Sequence, residues 1–283
     1  MKKAALVLEG GANRGVFSSG AVDYLMKKNV YFPYVVGVSC GACNTVDYVS
    51  RQPERTKDCM IIKEKAYKTV TVKGMIKNKS LYDMDMVFDK FPNRYIPFDY
   101  DTYFASAVKS ELVVTNCLNG KAEYLNEKSD RKRLMDICRA SSSLPLAAPI
   151  VFIDGIPYMD GGMADSIPIV HSLHLGYKKN VIISTKEKGY RKKHVKRQEL
   201  LVSTVYREYP MLVKTVLRRP EMYNRTMELI EDLERGGHVF VLRPNGLHIS
   251  HAERNMEKMQ AFYELGYDTM EEEFDKMMEY LER

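Results

Sequence analysis

The chain of 283 residues has no long hydrophobic run. Its first apolar stretch, Ala4 to Leu8, is stopped at once by Glu9, so no signal-peptide core is expected. The most apolar later stretch, Leu144 to Ile153, carries Pro145 and Pro149. It falls far short of the ~20 residues that a spanning helix needs. The five cysteines (Cys40, Cys43, Cys59, Cys117, Cys138) are odd in number and unevenly spaced, which argues against a disulfide framework. No second C-x-x-C is present, so no zinc site and no other metal or cofactor is expected. No Gly-Lys-Ser/Thr follows a glycine loop, which excludes a P-loop. Internal repeats and low-complexity tracts are also absent. The net charge of +6 is too small to imply nucleic acid, although it suits an anionic surface. A reduced, cytoplasmic, soluble protein is the expectation.

What is present is ordinary globular composition: 45% hydrophobic and 28% charged residues. Lys3 to Leu8 and Tyr34 to Val38 read as short buried strands. Val16–Lys28 and Gly41–Arg51 read as helices behind them. Strand, helix, strand, helix predicts an α/β fold with a mostly parallel central sheet flanked by helices in three layers. Glu111–Thr115, Asn180–Ser184 and His238–Leu242 fit further strands. Pro149 to Asp160 reads as a β-hairpin, with Asp154-Gly155 in a type I′ turn. Helical patterns run through Leu200–Leu217, Glu221–Glu234, Ala252–Leu265 and Tyr267–Leu281. The expected organisation is a catalytic α/β domain over 1–185, with a cap region over 52–103. A basic segment and helical C-terminal extension over 186–283 would pack on the same domain. From Lys186 to Arg197, seven basic residues face one acid, Glu187. Such a run either attracts anionic lipid or forms a solvated loop. The later helices cover a sheet edge or make a homo-oligomer contact.

Three short segments carry chemistry. Gly10-Gly11-Ala12-Asn13-Arg14-Gly15 joins the first strand to the first helix. Its small residues let backbone N–H groups converge on a phosphate or an oxyanion. It fits a dinucleotide fingerprint poorly, because no ribose-binding acid stands about 20 residues on. Gly37-Val38-Ser39-Cys40-Gly41 matches G-x-S-x-G at a strand–helix join, the setting of a nucleophile on a strained turn. The overlapping Cys40-Gly41-Ala42-Cys43 admits a weaker redox reading. A serine nucleophile needs a base within reach. Two choices stand open: a late histidine, His248 or His251, in a Ser–His–Asp triad, or Asp160 in Asp160-Gly161-Gly162. A buried carboxylate serves as base when desolvation raises its pKa.

Together, GGANRG, GVSCG and DGG, in this order, resemble the patatin-like phospholipase family. Ala140 to Pro145 resembles the family's small-residue segment ending in proline, and Pro168 stands where a proline follows the D-G-G. The resemblance covers roughly residues 4–185. It implies a serine acyl hydrolase of lipid esters, of the phospholipase A or lysophospholipase type. Ser39 is then the nucleophile and Asp160 the sole base of a Ser–Asp dyad. Gly10, Gly11 and Ala12 form the oxyanion-hole loop, and Arg14 steadies the loop or a substrate phosphate. Ala12 stands where the family carries a third glycine, a change that is harmless if its φ is negative. The implied partner is a lipid or ester substrate, with an anionic membrane as a candidate peripheral contact. A non-catalytic lipid-binding protein keeping the fold is the reading from another class.

Overall fold

The computed structural model describes residues 3–62 and 83–283. Eight strands form one sheet among these residues: β1 (Ala4–Leu8), β2 (Tyr34–Val38), β3 (Lys109–Asn116), β4 (Ala122–Leu125), β5 (Val151–Ile153), β6 (Ile156–Asp160), β7 (Lys179–Ile183) and β8 (Val239–Leu242). Their order is β5-β6-β3-β2-β1-β7-β8, with β4 paired to β3 off this path. The β1–β2, β2–β3, β1–β7 and β7–β8 pairs are parallel. The β3–β4, β3–β6 and β5–β6 pairs are antiparallel.

The helices are α1 (Gly15–Lys27), α2 (Cys40–Val49), α3 (Arg55–Met60), a π-helical stretch Met86–Tyr95, α4 (Tyr100–Ala105), α5 (Arg131–Ser141), α6 (Ile169–His174), α7 (Lys196–Val205), α8 (Pro210–Arg235) and α9 (Met256–Glu282). The central strands are apolar at every position because both sheet faces are covered. Alternation divides them. Leu6, Leu8, Val35, Leu112 and Val114 pack with residues of α1, α2, α5 and α9. Ala5, Val7, Val36, Val38 and Val113 pack with Ile169 of α6 and with Tyr223, Met227 and Ile230 of α8. The predicted three-layer architecture with C-terminal helices is therefore the observed one.

Several local expectations change. Leu200–Leu217 and Glu221–Glu234, read as two helices, are instead α7 and one continuous α8 that runs through Pro220. Leu212, Tyr223, Met227 and Ile230 are buried on either side of that proline. Their packing outweighs the one backbone hydrogen bond it forfeits. The last two predicted helices are likewise one, α9, running through Gly266. That glycine is required by packing: a Cβ there would stand 2.0 Å from the carbonyl oxygen of Phe17 on α1. β4 and α5 had no distinct sequence signal. The Asp154-Gly155 turn is as expected, with φ of 51° and 79°. The cap expectation falls partly on residues 63–82, outside the described residues. Its described flanks form α3, the π-helical stretch and α4.

Candidate active site

The register around β3 brings Ser39 and Asp160 together. Leu112 and Val113 of β3 pair with Gly37 and Val38 of β2, and also with Leu125 and Tyr124 of β4. β2 and β4 thus occupy opposite edges. Val114 and Thr115 pair with β4 and with Asp160 and Met159 of β6. A strand has only two edges, so β2 and β6 meet end to end along the same one. Ser39 follows the last residue of β2, and Asp160 is the last residue of β6.

Ser39 sits at φ 57°, ψ −124°, a strained elbow between β2 and α2. The flanking glycines are needed for close approach. A Cβ on Gly37 would lie 2.2 Å from the Gly41 carbonyl oxygen, and one on Gly41 would lie 2.5 Å from that of Leu8. The Ser39 N–H donates to Ser141 Oγ at 2.9 Å, and that hydroxyl donates to the Val113 carbonyl at 2.6 Å. Ser141 has no individual signal in the sequence. It lies in the small-residue segment Ala140–Pro145, whose Ser143 carbonyl also accepts from Asp160 N–H at 2.9 Å. One segment thus steadies both residues.

Asp160 is 1% exposed. Its Oδ1 accepts from Gly162 N–H at 2.7 Å, while Oδ2 accepts no well-aligned hydrogen bond among the described residues. Burial pushes its carboxyl up from the ordinary aspartate value. The Arg219 guanidinium, the Ser39 hydroxyl, the Gly162 N–H and Lys192 pull the other way. The carboxylate therefore faces Ser39 with a free oxygen and raised basicity.

The glycine loop forms a short 3-10 turn, Ala12–Arg14, ahead of α1. Gly10 N–H donates to the Ser166 carbonyl and Asn13 N–H to that of His251, but the Gly11 and Ala12 N–H groups donate to no acceptor among the described residues. The condition set for Ala12 is not met, because its φ is 48°, in the left-handed region where a methyl group is strained. Arg14 Nε donates to the Ile249 carbonyl at 3.0 Å, and Asn13 Nδ2 to that of Glu253 at 2.6 Å. The segment holding His248 and His251 thus clamps the loop through backbone carbonyls.

Neither imidazole makes a hydrogen bond to Ser39 among the described residues. His248 is exposed and lies 3.5 Å from Glu187. Burial and the surrounding cations Arg14, Lys186, Lys192 and Arg219 depress the His251 pKa, and no carboxylate among the described residues is hydrogen-bonded to the ring. The redox reading fares no better. Burial pushes the Cys43 thiol up to about 12 and Cys40 well above its usual value, opposite to what a reactive dithiol requires. No cluster among the described residues is fit to hold a metal ion.

Beside Ser39 opens a cavity of about 360 Å³, inside the range of small-molecule sites. Its wall is mostly apolar, with Met60, Met84, Phe88, Met135, Leu144 and Met259 among the lining residues. The described flanks of the cap region thus contribute to this wall. They are tied down by one buried ion pair, Arg55 Nη1 to Asp47 Oδ1 at 2.9 Å. Thr56 Oγ1 donates to the other Asp47 oxygen, and Arg55 Nη2 donates to the Ile96 carbonyl.

The profile of the patatin-like phospholipase family matches residues 6–173, more than half of the chain. The chain belongs to the patatin-like phospholipase family. Residues 209–282, which include all of α8 and α9, match a second profile, described as a domain of unknown function (DUF6363). A curated relative, "Uncharacterized protein YjjU" of Escherichia coli (strain K12), is 27% identical over 187 residues, or 65% of this chain. The match takes in 52% of that protein, so the chain spans about half the length of this relative. The crystal structure of VipD from Legionella pneumophila superposes with a TM-score of 0.52 at 14% identity. It covers 98% of this chain and 67% of VipD, a likeness of fold.

Proposed function

We propose that the chain is a serine acyl hydrolase of lipid esters, of the phospholipase A or lysophospholipase type, working through Ser39 and Asp160. The observation that carries this reading is the buried Asp160 carboxylate, which meets Ser39 along the shared edge of β3 with Oδ2 free. Ser39 Oγ attacks the ester carbonyl carbon as its proton passes to Asp160. The oxyanion that forms accepts hydrogen bonds from the Gly11 and Ala12 N–H groups, a type of contact worth about 10²–10³ in rate per donor. Asp160 then returns the proton to the departing alcohol, leaving an acyl–Ser39 ester. A water molecule gives a proton to Asp160 and attacks this ester. Collapse releases the fatty acid and restores the Ser39 hydroxyl. The Met-rich cavity beside Ser39 receives the acyl chain.

The test uses a short-chain p-nitrophenyl ester with wild type, Ser39→Ala, Asp160→Asn and a His248→Ala/His251→Ala double variant. Losses of about 10³-fold or more are expected in the first two variants, with retention in the third. Loss in the histidine variant, with the fold intact by circular dichroism, would replace the dyad by a triad. Equal rates in wild type and Ser39→Ala would remove the enzyme reading.

A lipid substrate also requires a route to a lipid surface. α7 turns Val202 inward and leaves Leu200 70% exposed, with Leu201 and Val205 also exposed. Lys193, Lys196 and Arg197 stand beside them, all exposed. This pairing of apolar and cationic groups suits peripheral contact with an anionic bilayer. Sedimentation with phosphatidylglycerol vesicles should fall sharply in Leu200→Asp/Leu201→Asp. Unchanged sedimentation would place the contact elsewhere.

A further inference from the structure

The basic run after β7 is only partly a solvated loop. Lys186 is 8% exposed, and Lys192 is largely covered. Both turn toward α8. Lys192 Nζ lies 4.2 Å from the centre of the Tyr223 ring, and Lys186 Nζ lies 5.6 Å from that of Tyr190. The two rings meet edge to face at 5.9 Å. Arg219, one turn before Tyr223 on α8, reaches the Asp160–Gly162 turn: its Nη2 lies 3.3 Å from where a Gly162 Cβ would be. Lys186 is tied to the glycine loop, since its Nζ donates to Thr185 Oγ1 at 3.4 Å and that hydroxyl donates to the Gly10 carbonyl at 3.3 Å.

These three cations have no ion-pair partner within 4.0 Å among the described residues. Glu9 is the nearest buried acid besides Asp160, and its oxygens are already engaged. Oε1 accepts from Tyr223 Oη at 2.8 Å, and Oε2 accepts from Ser184 Oγ and Thr185 N–H at 2.6 Å each. Arg219 Nε is buried with no hydrogen-bond acceptor among the described residues. Arg14 and His251 stand close enough to add to the same field. Cations that are buried, mutually repelling and unpaired are costly unless an anion joins them. Burial and this crowding hold Lys186 down to about 8 and Lys192 to about 7.

We propose that Lys186, Lys192 and Arg219 form a phosphate-binding subsite beside Ser39. It would hold the phosphate of a glycerophospholipid head group while the acyl chain fills the Met-lined cavity. The proposal rests on the acyl-hydrolase reading, and it narrows the substrate to phosphorylated amphiphiles. Three donors from two elements, β7–α7 and α8, suit the tetrahedral oxygens of a phosphate better than a planar carboxylate. The Tyr190 and Tyr223 rings hold the two ammonium groups in place by cation–π contact.

Two arms test it. In the first, inorganic phosphate and sn-glycerol 3-phosphate are titrated calorimetrically into Ser39→Ala and into Ser39→Ala/Lys186→Gln/Lys192→Gln. Saturable binding in the first protein, weakened about 10- to 100-fold in the second, is expected. Equal affinity in both proteins, or no binding to either, overturns the subsite whatever the enzyme does. In the second, kcat/KM is compared for 1-acylglycerol 3-phosphate and for the monoacylglycerol of the same chain. The wild type should prefer the phosphorylated substrate, and Lys186→Gln/Lys192→Gln should reduce that ratio about 10- to 100-fold. An unchanged ratio overturns the proposal. Binding of glycerol phosphate but not of inorganic phosphate assigns the site to head groups. Should Ser39→Ala keep wild-type hydrolysis, the acyl-hydrolase reading falls while the binding arm still reports on the subsite.

Discussion

The two flanks of Ser39 handle charge in opposite ways. On one flank, α2, α3, α5 and the π-helical stretch wall an apolar cavity. The ion pair buried there, Asp47–Arg55, is neutral overall and hydrogen-bonded on both partners. On the other flank, Lys186, Lys192 and Arg219 crowd near only two carboxylates, Glu9 and Asp160, and none of the three has an ion-pair partner within 4.0 Å among the described residues. A satisfied pair holds structure together, whereas an unsatisfied set stores unfavourable energy that a ligand relieves. The same physics, desolvated charge, therefore has opposite consequences for stability on the two sides.

The largest expected effect breaks the satisfied side. Arg55→Met leaves the Asp47 carboxylate buried with only Thr56 for company, and should cost about 3–5 kcal/mol. It also unties α3 from the Ile96 carbonyl. Urea unfolding should show the midpoint falling steeply. A change near zero would mean that the pair is not the cavity's fastening.

On the charged side, Arg219 offers a kinetic handle. Its guanidinium opposes the rise of the Asp160 carboxyl caused by burial. Arg219→Met removes that opposition, so Asp160 stays protonated to higher pH. The acid limb of kcat/KM for a neutral p-nitrophenyl ester should move to higher pH. A limb that stays in place would show that another group sets it.

Lys192→Met asks whether the charged side is costly in the unliganded protein. Burial lowers Lys192 to about 7, with Arg219, Lys186 and Arg14 adding repulsion and Glu9 opposing it. In the unfolded chain it titrates near 10.5. Between these values the unfolded state binds more protons, so wild-type stability should rise with pH from about 7 toward 10. Lys192→Met should flatten that slope and raise stability at pH 7 on the order of 1 kcal/mol, opposite in sign to Arg55→Met. Thermal unfolding at pH 7 and pH 9.5 reads both. A loss of stability at pH 7 would assign Lys192 to a structural role.

The sequence made the apolar scaffold readable, because parallel strands covered on both faces appear as short unbroken runs such as Ala4–Leu8 and Tyr34–Val38. The elbow was readable because steric demand fixes glycine on both sides of Ser39. The meeting of Ser39 and Asp160 was not derivable from periodicity. It depends on β2 and β6 sharing one edge of β3, a long-range register that only the tertiary structure fixes. Ser141 and Arg219 went unmarked for a related reason. A serine at a helix end and an arginine before a proline are common locally, and they acquire meaning only through the residues across from them. The basic run was visible, but which lysines turn inward depends on Tyr190 and Tyr223. Likewise, LHISHAE drew attention for its imidazoles, whereas its backbone carbonyls are what hold the glycine loop.

Ala12 lies where the two flanks meet, and it gives the smallest and cleanest test. Its φ of 48° places a methyl group in the left-handed region, at a cost of roughly 1–2 kcal/mol for an L-residue. Glycine removes this strain but loosens the unfolded chain, which offsets about 0.4–1 kcal/mol. Ala12→Gly should therefore stabilise the protein by roughly 0.5–1 kcal/mol, a rise in Tm of about 1–4 °C. The N–H that the proposed mechanism uses is retained, so kcat for a neutral ester should change by less than about threefold. A lower Tm would mean that the methyl makes packing contacts worth more than the strain. A large fall in kcat with an unchanged Tm would mean instead that the alanine stiffens the donor, so that strain at this position serves the geometry of the loop rather than burdening it.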